Sequence, residues 1–152
     1  MTAAHAPLRY NFDMRYVLLI LAVAGIVVSA LALQVHYETG TAPCSINEHW
    51  DCGVVNHSSF AMIGSVPVAA IGILGYLLIG ALAFMRQRFA LLLAIFAAFC
   101  FALRLTFIEE YALLVWCLYC VISQCIIGLL LVVSLGWFAA EYFALRRAKS
   151  AA

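Results

Sequence analysis

Four runs of about twenty mostly apolar residues, each closed by charge, constrain this chain more than anything else in it: residues 17–36, 66–85, 89–108 and 111–138. A backbone in hydrocarbon has no water to bond to, so such runs are satisfied as α-helices. The expected fold is therefore an all-α membrane protein, a four-transmembrane-helix bundle in a single domain spanning 1–152, with an outward-facing loop at 37–65. Composition agrees: only 10% of residues are charged, where a soluble domain carries about 25%. A net charge of +1 argues against nucleic acid as a partner. The first run is too long, and lacks a small-residue cleavage site within reach, to be a cleavable leader.

Orientation follows from lysine and arginine. Arg9 and Arg15 precede the first span, Arg86 and Arg88 link the second to the third, and Arg146, Arg147 and Lys149 follow the fourth, which places seven of the eight basic residues on one side. Glu38, Glu48, Asp51, Glu109 and Glu110 fall on the other. Both termini are expected in the cytoplasm, with the loop and the Glu109–Glu110 turn facing outward. Gly25, Ser29 and Ala32 on the first span, and Gly72, Gly75 and Gly80 on the second, are small residues of the kind that let helices approach closely in lipid.

Six cysteines remain to be explained. Cys44 and Cys52 stand seven residues apart in the outward loop, and Cys117 and Cys120 form C-L-Y-C, expected about two turns into the fourth helix from its outward end. Both pairs thus belong to one membrane face, the oxidising one under this orientation. Alone, Cys44–Cys52 reads as a loop staple. The C-x-x-C spacing puts two thiols on one helical face near the positive helix end, which favours the attacking thiolate. Together the pairs fit a relay in which the exposed pair exchanges with an outside thiol and then with the half-buried pair. A four-sulfur metal site and a non-enzymatic tetraspan with a structural disulfide are the competing readings. Cys100 and Cys125 read as small buried apolar residues. The chain has no haem, iron–sulfur or dinucleotide pattern, so a lipid-soluble quinone is the acceptor that chemistry and location allow.

The ordered set C-x7-C, Ser58, S-V-P-V-A-A-I-G-I-L-G-Y and C-L-Y-C-V-I-S-Q resembles the vitamin K epoxide reductase family over residues 44 to 124. The resemblance implies a four-helix membrane enzyme with a short capping half-helix. It implies that Cys44 meets an external thioredoxin-like (DsbA-type) protein, that Cys52 attacks the Cys117–Cys120 disulfide at Cys117, and that Cys120 passes electrons to a ubiquinone- or menaquinone-type acceptor. No thioredoxin-like domain is fused within these residues, so a separate donor is implied, with the loop in a bacterial periplasm and the bundle in the inner membrane. Ser58 matches a hydroxyl residue of the half-helix. The vertebrate enzymes carry an asparagine where Val68 stands and a tyrosine where Gln124 stands, both in the vitamin K pocket. The departures imply a disulfide-forming thiol:quinone oxidoreductase rather than a reductase of vitamin K epoxide.

Among other polar residues, Gln124 lies one turn below Cys120 on the same face and is a candidate for hydrogen bonding a quinone carbonyl or a neighbouring helix. Ser123 lies off that face. Ser58 is a candidate helix cap or quinone donor. Arg104 is expected to reach the outer surface or to pair with Glu109 or Glu110. His36, His49 and His57 read as loop bystanders, and no metal is expected. Asn56-His57-Ser58 is a glycosylation sequon expected to go unused.

Overall fold

The computed structural model describes residues 6–40 and 42–150, and their side chains from residue 14 onward except 141, 144, 145 and 148. Arg9 therefore lies outside the described side chains. Five α-helices form: α1 (Ala6–Tyr37), α2 (Cys52–His57), α3 (Val68–Phe84), α4 (Arg88–Ile108) and α5 (Leu118–Ser150). A 3-10 turn at Ser59–Ala61 and a two-stranded hairpin, β1 (Met62–Ile63) and β2 (Val66–Pro67), lead into α3, and a π-helical turn at Glu109–Leu113 extends α4.

Three stretches, Met14–Tyr37, Arg88–Leu113 and Leu118–Ala140, are long and apolar enough to cross a membrane, while Val68–Phe84 is apolar but shorter. Several helix ends depart from the expected ones, each for a local reason. α1 starts earlier, because Pro7 is tolerated in a first helical turn and nothing after it breaks the helix. α3 starts at Val68, because Val66 and Pro67 are used by the hairpin, which Gly64 closes at a φ of 62°. The last helix starts at Leu118, since Leu114 adopts a left-handed φ of 54° and ends the π turn. It also continues to Ser150, well past residue 138.

The four long helices close a ring in which α1 packs on α3 and α5, and α4 on α3 and α5. α1 and α3 meet through small residues in antiparallel register. A Cβ added to Gly25 would stand 2.3 Å from the Tyr76 ring, and one on Gly72 would stand 3.0 Å from the Ser29 hydroxyl. The expected small residues thus sit at a helix contact, with Gly25 leaving room for an aromatic ring rather than for a backbone. At the α3–α4 turn Arg86 is left-handed (φ 60°), the Arg86 amide donates to Ala83 and the Gln87 amide to Leu82. That is a Schellman closure with arginine in the usual glycine place.

Burial divides the interior in two. Leu18, Ile79, Leu91, Ile95 and Leu130 fill the half nearer the basic turns. Val35, Cys44, Cys52, Val55 and Cys117 form a separate cluster at the opposite end. The outer helix faces are apolar, with Ile20, Leu74, Phe89 and Val132 exposed, as a lipid-facing surface requires. Arg15 and Arg88 stack over Phe84 and Trp137 at 4.6 and 4.9 Å, all at the basic end. Cys100 and Cys125 are exposed rather than buried, because their helical positions point away from the ring and onto its apolar outer face.

Candidate functional site

The site is assembled where the loop folds down onto the start of α5. Cys44 and Cys52 are joined by a disulfide, with Cα atoms 5.6 Å apart. Cys52 opens α2, whose N-cap is Asp51. One carboxylate oxygen of Asp51 accepts from the amides of Gly53 (2.8 Å) and Val54 (3.2 Å) and from the Ser45 hydroxyl (2.6 Å). The Ser45 bond, helped by those amides, holds the Asp51 carboxyl below its usual range, against a smaller opposing effect of burial. The far end of α2 is tied to α1, with the His36 ring on the Asn56 carbonyl and the His57 ring on the Gly53 and Glu38 carbonyls. Two of the three loop histidines therefore act as loop fasteners.

A short backbone bridge brings the two cysteine pairs together. The Trp116 amide donates to the His49 carbonyl (2.8 Å) and the Asp51 amide to the Trp116 carbonyl (3.1 Å), with the Trp50 and Trp116 rings adjacent. Each strand of the bridge runs directly into a cysteine: Cys52 on one side, Cys117 on the other. Cys117 is consequently not two turns inside α5 but at its very start, where its carbonyl accepts the first helical bond, from Val121 at 3.0 Å. Trp116 is held out of the helix because both its backbone groups bond the loop instead. The change strengthens the chemical case, since the unpaired amides of a first helical turn favour a thiolate there.

Cys52 and Cys117 are both fully buried, in one cluster against which Cys120 packs. Asn56 spans them: its side-chain amide donates to the Cys52 carbonyl at 2.9 Å and approaches the Cys117 sulfur at 3.6 Å. The same residue was the sequon asparagine. It is only 7% exposed, which removes it from any modifying enzyme.

Beneath α2 lies a cavity of about 370 Å³ enclosed by all four long helices. Cys120, Ser58 and Gln124 all line it, as do Asn56, Tyr76, Ser123 and Glu109. Its remaining wall is mostly apolar, including Val68, Phe60 and Phe101, with Ser29, Thr106 and Tyr119 as further hydroxyls. The Gln124 side-chain oxygen is buried without a hydrogen-bond partner, an unusual debt for a native interior. Ser58 ends α2 and stands at the N-cap position of the 3-10 turn, but its hydroxyl caps no amide there and donates instead to the Val55 carbonyl at 2.7 Å. Ser123, set aside on helical angle, does reach the cavity, where it is held by the Tyr76 hydroxyl at 2.9 Å.

Glu109 corrects another expectation. The π turn rotates it inward until it is 3% exposed, and its carboxylate accepts the Cys117 amide at 3.1 Å. It is thus bonded to the start of α5 rather than to Arg104, which is exposed. The sequence offered no signal for Asn56, Tyr76 or Glu109 as site residues, because each is brought in by a neighbouring element. Among the described residues no group of three or more His, Cys, Asp and Glu side chains is placed to hold a metal ion.

The cavity's largely apolar wall and its thiol suit a flat, lipid-soluble ring, and the unpartnered Gln124 oxygen would accept from a hydroxyl on such a ring. A family model described as the vitamin K epoxide reductase family matches residues 16–135, more than three quarters of the chain. No curated protein matches the chain.

Proposed function

The chain belongs to the vitamin K epoxide reductase family, and from that membership we propose that it is a four-span thiol:quinone oxidoreductase supporting disulfide formation. Members of the family are membrane oxidoreductases linked to quinones. The observation that carries the finer reading is the continuity of Cys44–Cys52, Cys117, Cys120 and the apolar cavity within one buried region.

In this reading an external thioredoxin-like (DsbA-type) protein reduces the Cys44–Cys52 disulfide and leaves oxidised. The freed Cys52 thiolate attacks Cys117 of the Cys117–Cys120 disulfide, forming a Cys52–Cys117 bond and releasing Cys120 as thiolate. Cys44 then attacks Cys52, restoring the loop disulfide and leaving Cys117 and Cys120 reduced. These two thiols give two electrons and two protons to a quinone in the cavity and close their own disulfide, with quinol as product. Gln124 supports the acceptor assignment, because an amide both donates to a quinone carbonyl and accepts from a quinol hydroxyl. Val68 lines the cavity without a hydrogen-bonding group, which favours simple quinone reduction over epoxide reduction.

The proposed topology places both termini in the cytoplasm and the disulfide loop in the periplasm of a bacterial inner membrane, with α3 as the fourth span. The test is quinone reduction by the purified protein supplied with a reduced thioredoxin-like donor and either ubiquinone- or menaquinone-type acceptors. Turnover no greater than that of the Cys117→Ala/Cys120→Ala variant would sink the proposal. A structural tetraspan predicts that Cys120→Ala is fully functional.

A further inference from the structure

Oxidising two thiols with a quinone requires that protons leave sulfur and arrive at oxygen, and the relay of cysteines supplies no group for that transfer. An ordinary thiol, with a pKa of about 8.5, is mostly protonated at neutral pH, and a thiol removed from solvent needs a base within reach to take its proton. The other oxygen- and nitrogen-bearing side chains of the cavity wall are poor bases: Ser29, Ser58, Tyr76, Thr106, Tyr119 and Ser123 are hydroxyls, and Asn56 and Gln124 are amides. Glu109 is the exception. It is a carboxylate with 3% exposure, in the wall of the same cavity as Cys120, and the Cys120 thiol lies within its interaction reach.

A buried carboxylate is costly unless something compensates it. A surface glutamate in the same turn would cost nothing, and the neighbouring Glu110 is in fact exposed. The Cys117 amide provides part of the compensation, through its 3.1 Å bond. Among the described residues no cation provides the rest: Arg104 is exposed, while the His36 and His57 rings are engaged with the backbone carbonyls of Asn56, Gly53 and Glu38. The titratable groups facing Glu109 are thus the thiols of Cys117 and Cys120 from the start of α5, with no charged group from α1, α2 or α3 bonded to it.

We propose that Glu109 is a catalytic residue of the quinone half-reaction, taking the Cys120 thiol proton and delivering it to a quinone oxygen. This rests on the thiol:quinone reading above. In the step, two S–H bonds break and the Cys117–Cys120 bond forms. Two electrons pass from the sulfurs to the quinone, one proton travels from Cys120 through Glu109 to one oxygen, and the proton of Cys117 completes the quinol. Glu109 ends as it began, ionised and bonded to the Cys117 amide, ready for the next pair.

The discriminating variant is Glu109→Gln, whose side-chain oxygen still accepts the Cys117 amide but whose amide cannot take a proton. Single-turnover quinone reduction by the prereduced variant is expected to slow by about 10²–10⁴-fold, and to lose the fall in rate that protonation of Glu109 imposes on the wild type at low pH. Formation of the Cys52–Cys117 mixed disulfide is expected to proceed at the wild-type rate. Glu109→Asp, which keeps the carboxylate, is expected to recover part of the lost rate and the acid limb. Wild-type quinone reduction by Glu109→Gln, or equal slowing of both half-reactions, would overturn the proposal. Should Glu109→Gln fail to accumulate, Glu109→Asp decides: slowed quinone reduction with mixed-disulfide formation at the wild-type rate supports the role, and equal effects on both half-reactions remove it. Failure of the thiol:quinone reading looks different, since then the wild type itself reduces no quinone.

Discussion

Asn56 stands with its side-chain amide 3.6 Å from the sulfur of Cys117, although 61 residues separate them in the chain. The same nitrogen donates to the Cys52 carbonyl at 2.9 Å, so one side chain bridges the two cysteines that exchange in the proposed relay and offers a hydrogen to the Cys117 sulfur when it leaves as thiolate. A hydrogen bond to a charged group contributes about 1.5–3 kcal/mol. Asn56→Ala is therefore expected to slow resolution of the Cys52–Cys117 disulfide by Cys44 about tenfold or more, so that more of the mixed disulfide is trapped by alkylation during turnover. An unchanged amount of trapped mixed disulfide would show that the contact is incidental.

Gln124 presents an unpartnered oxygen to the cavity, and a buried acceptor without a donor is unfavourable until one reaches it. Gln124→Leu is expected to raise the Tm in detergent while raising the KM for quinone about 2- to 10-fold, with kcat much less affected. A higher Tm with unaltered KM would mean that the amide has no part in quinone binding.

Gly25 is the position where α1 admits the Tyr76 ring. Gly25→Ala forces that ring to move and breaks its hydroxyl from Ser123, an overpacking that costs about 1–3 kcal/mol. Gly136 faces open space in the same bundle, so Gly136→Ala is the control. Thermal unfolding in detergent should separate the two variants, and equal Tm values would contradict the packing account.

Asp51 couples the loop to pH. Its folded pKa is depressed, chiefly by the Ser45 hydroxyl, so its contribution is complete above the unfolded carboxylate value of about 4 and is lost as pH falls through the lower folded value. Amide-exchange protection at Gly53 and Val54, corrected for the intrinsic pH dependence of exchange, should hold steady down to about pH 4 and weaken below it. Asp51→Asn, which still caps α2 but cannot titrate, should flatten that dependence. Retention of the acid weakening in Asp51→Asn would assign it to another group.

The sequence determined the class of this protein and singled out its two cysteine pairs. Uninterrupted apolar runs in a solvent without hydrogen bonds leave the backbone little choice but helix, and the charge at their ends marks where they stop. The C-x7-C and C-x-x-C spacings and the residues around them carried the family, because local spacing is itself what the chemistry needs. What the sequence could not express were contacts made between elements. Cys117 reads as an interior helix position until Trp116 is seen bonding His49 and Asp51. Glu109 reads as a surface acid until the π turn rotates it inward, and Asn56 as a sequon until α2 buries it. Each of these was decided by backbone groups from distant segments satisfying one another at the rim of the bundle. Hydrophobic patterning reports which residues leave water, but it has no way to record which polar partner they meet when they do. The helical membrane class was thus legible from composition and apolar run length, whereas the meeting of Cys52 and Cys117 in one cluster, beside a cavity lined by Asn56, Glu109 and Cys120, belongs to the tertiary structure alone.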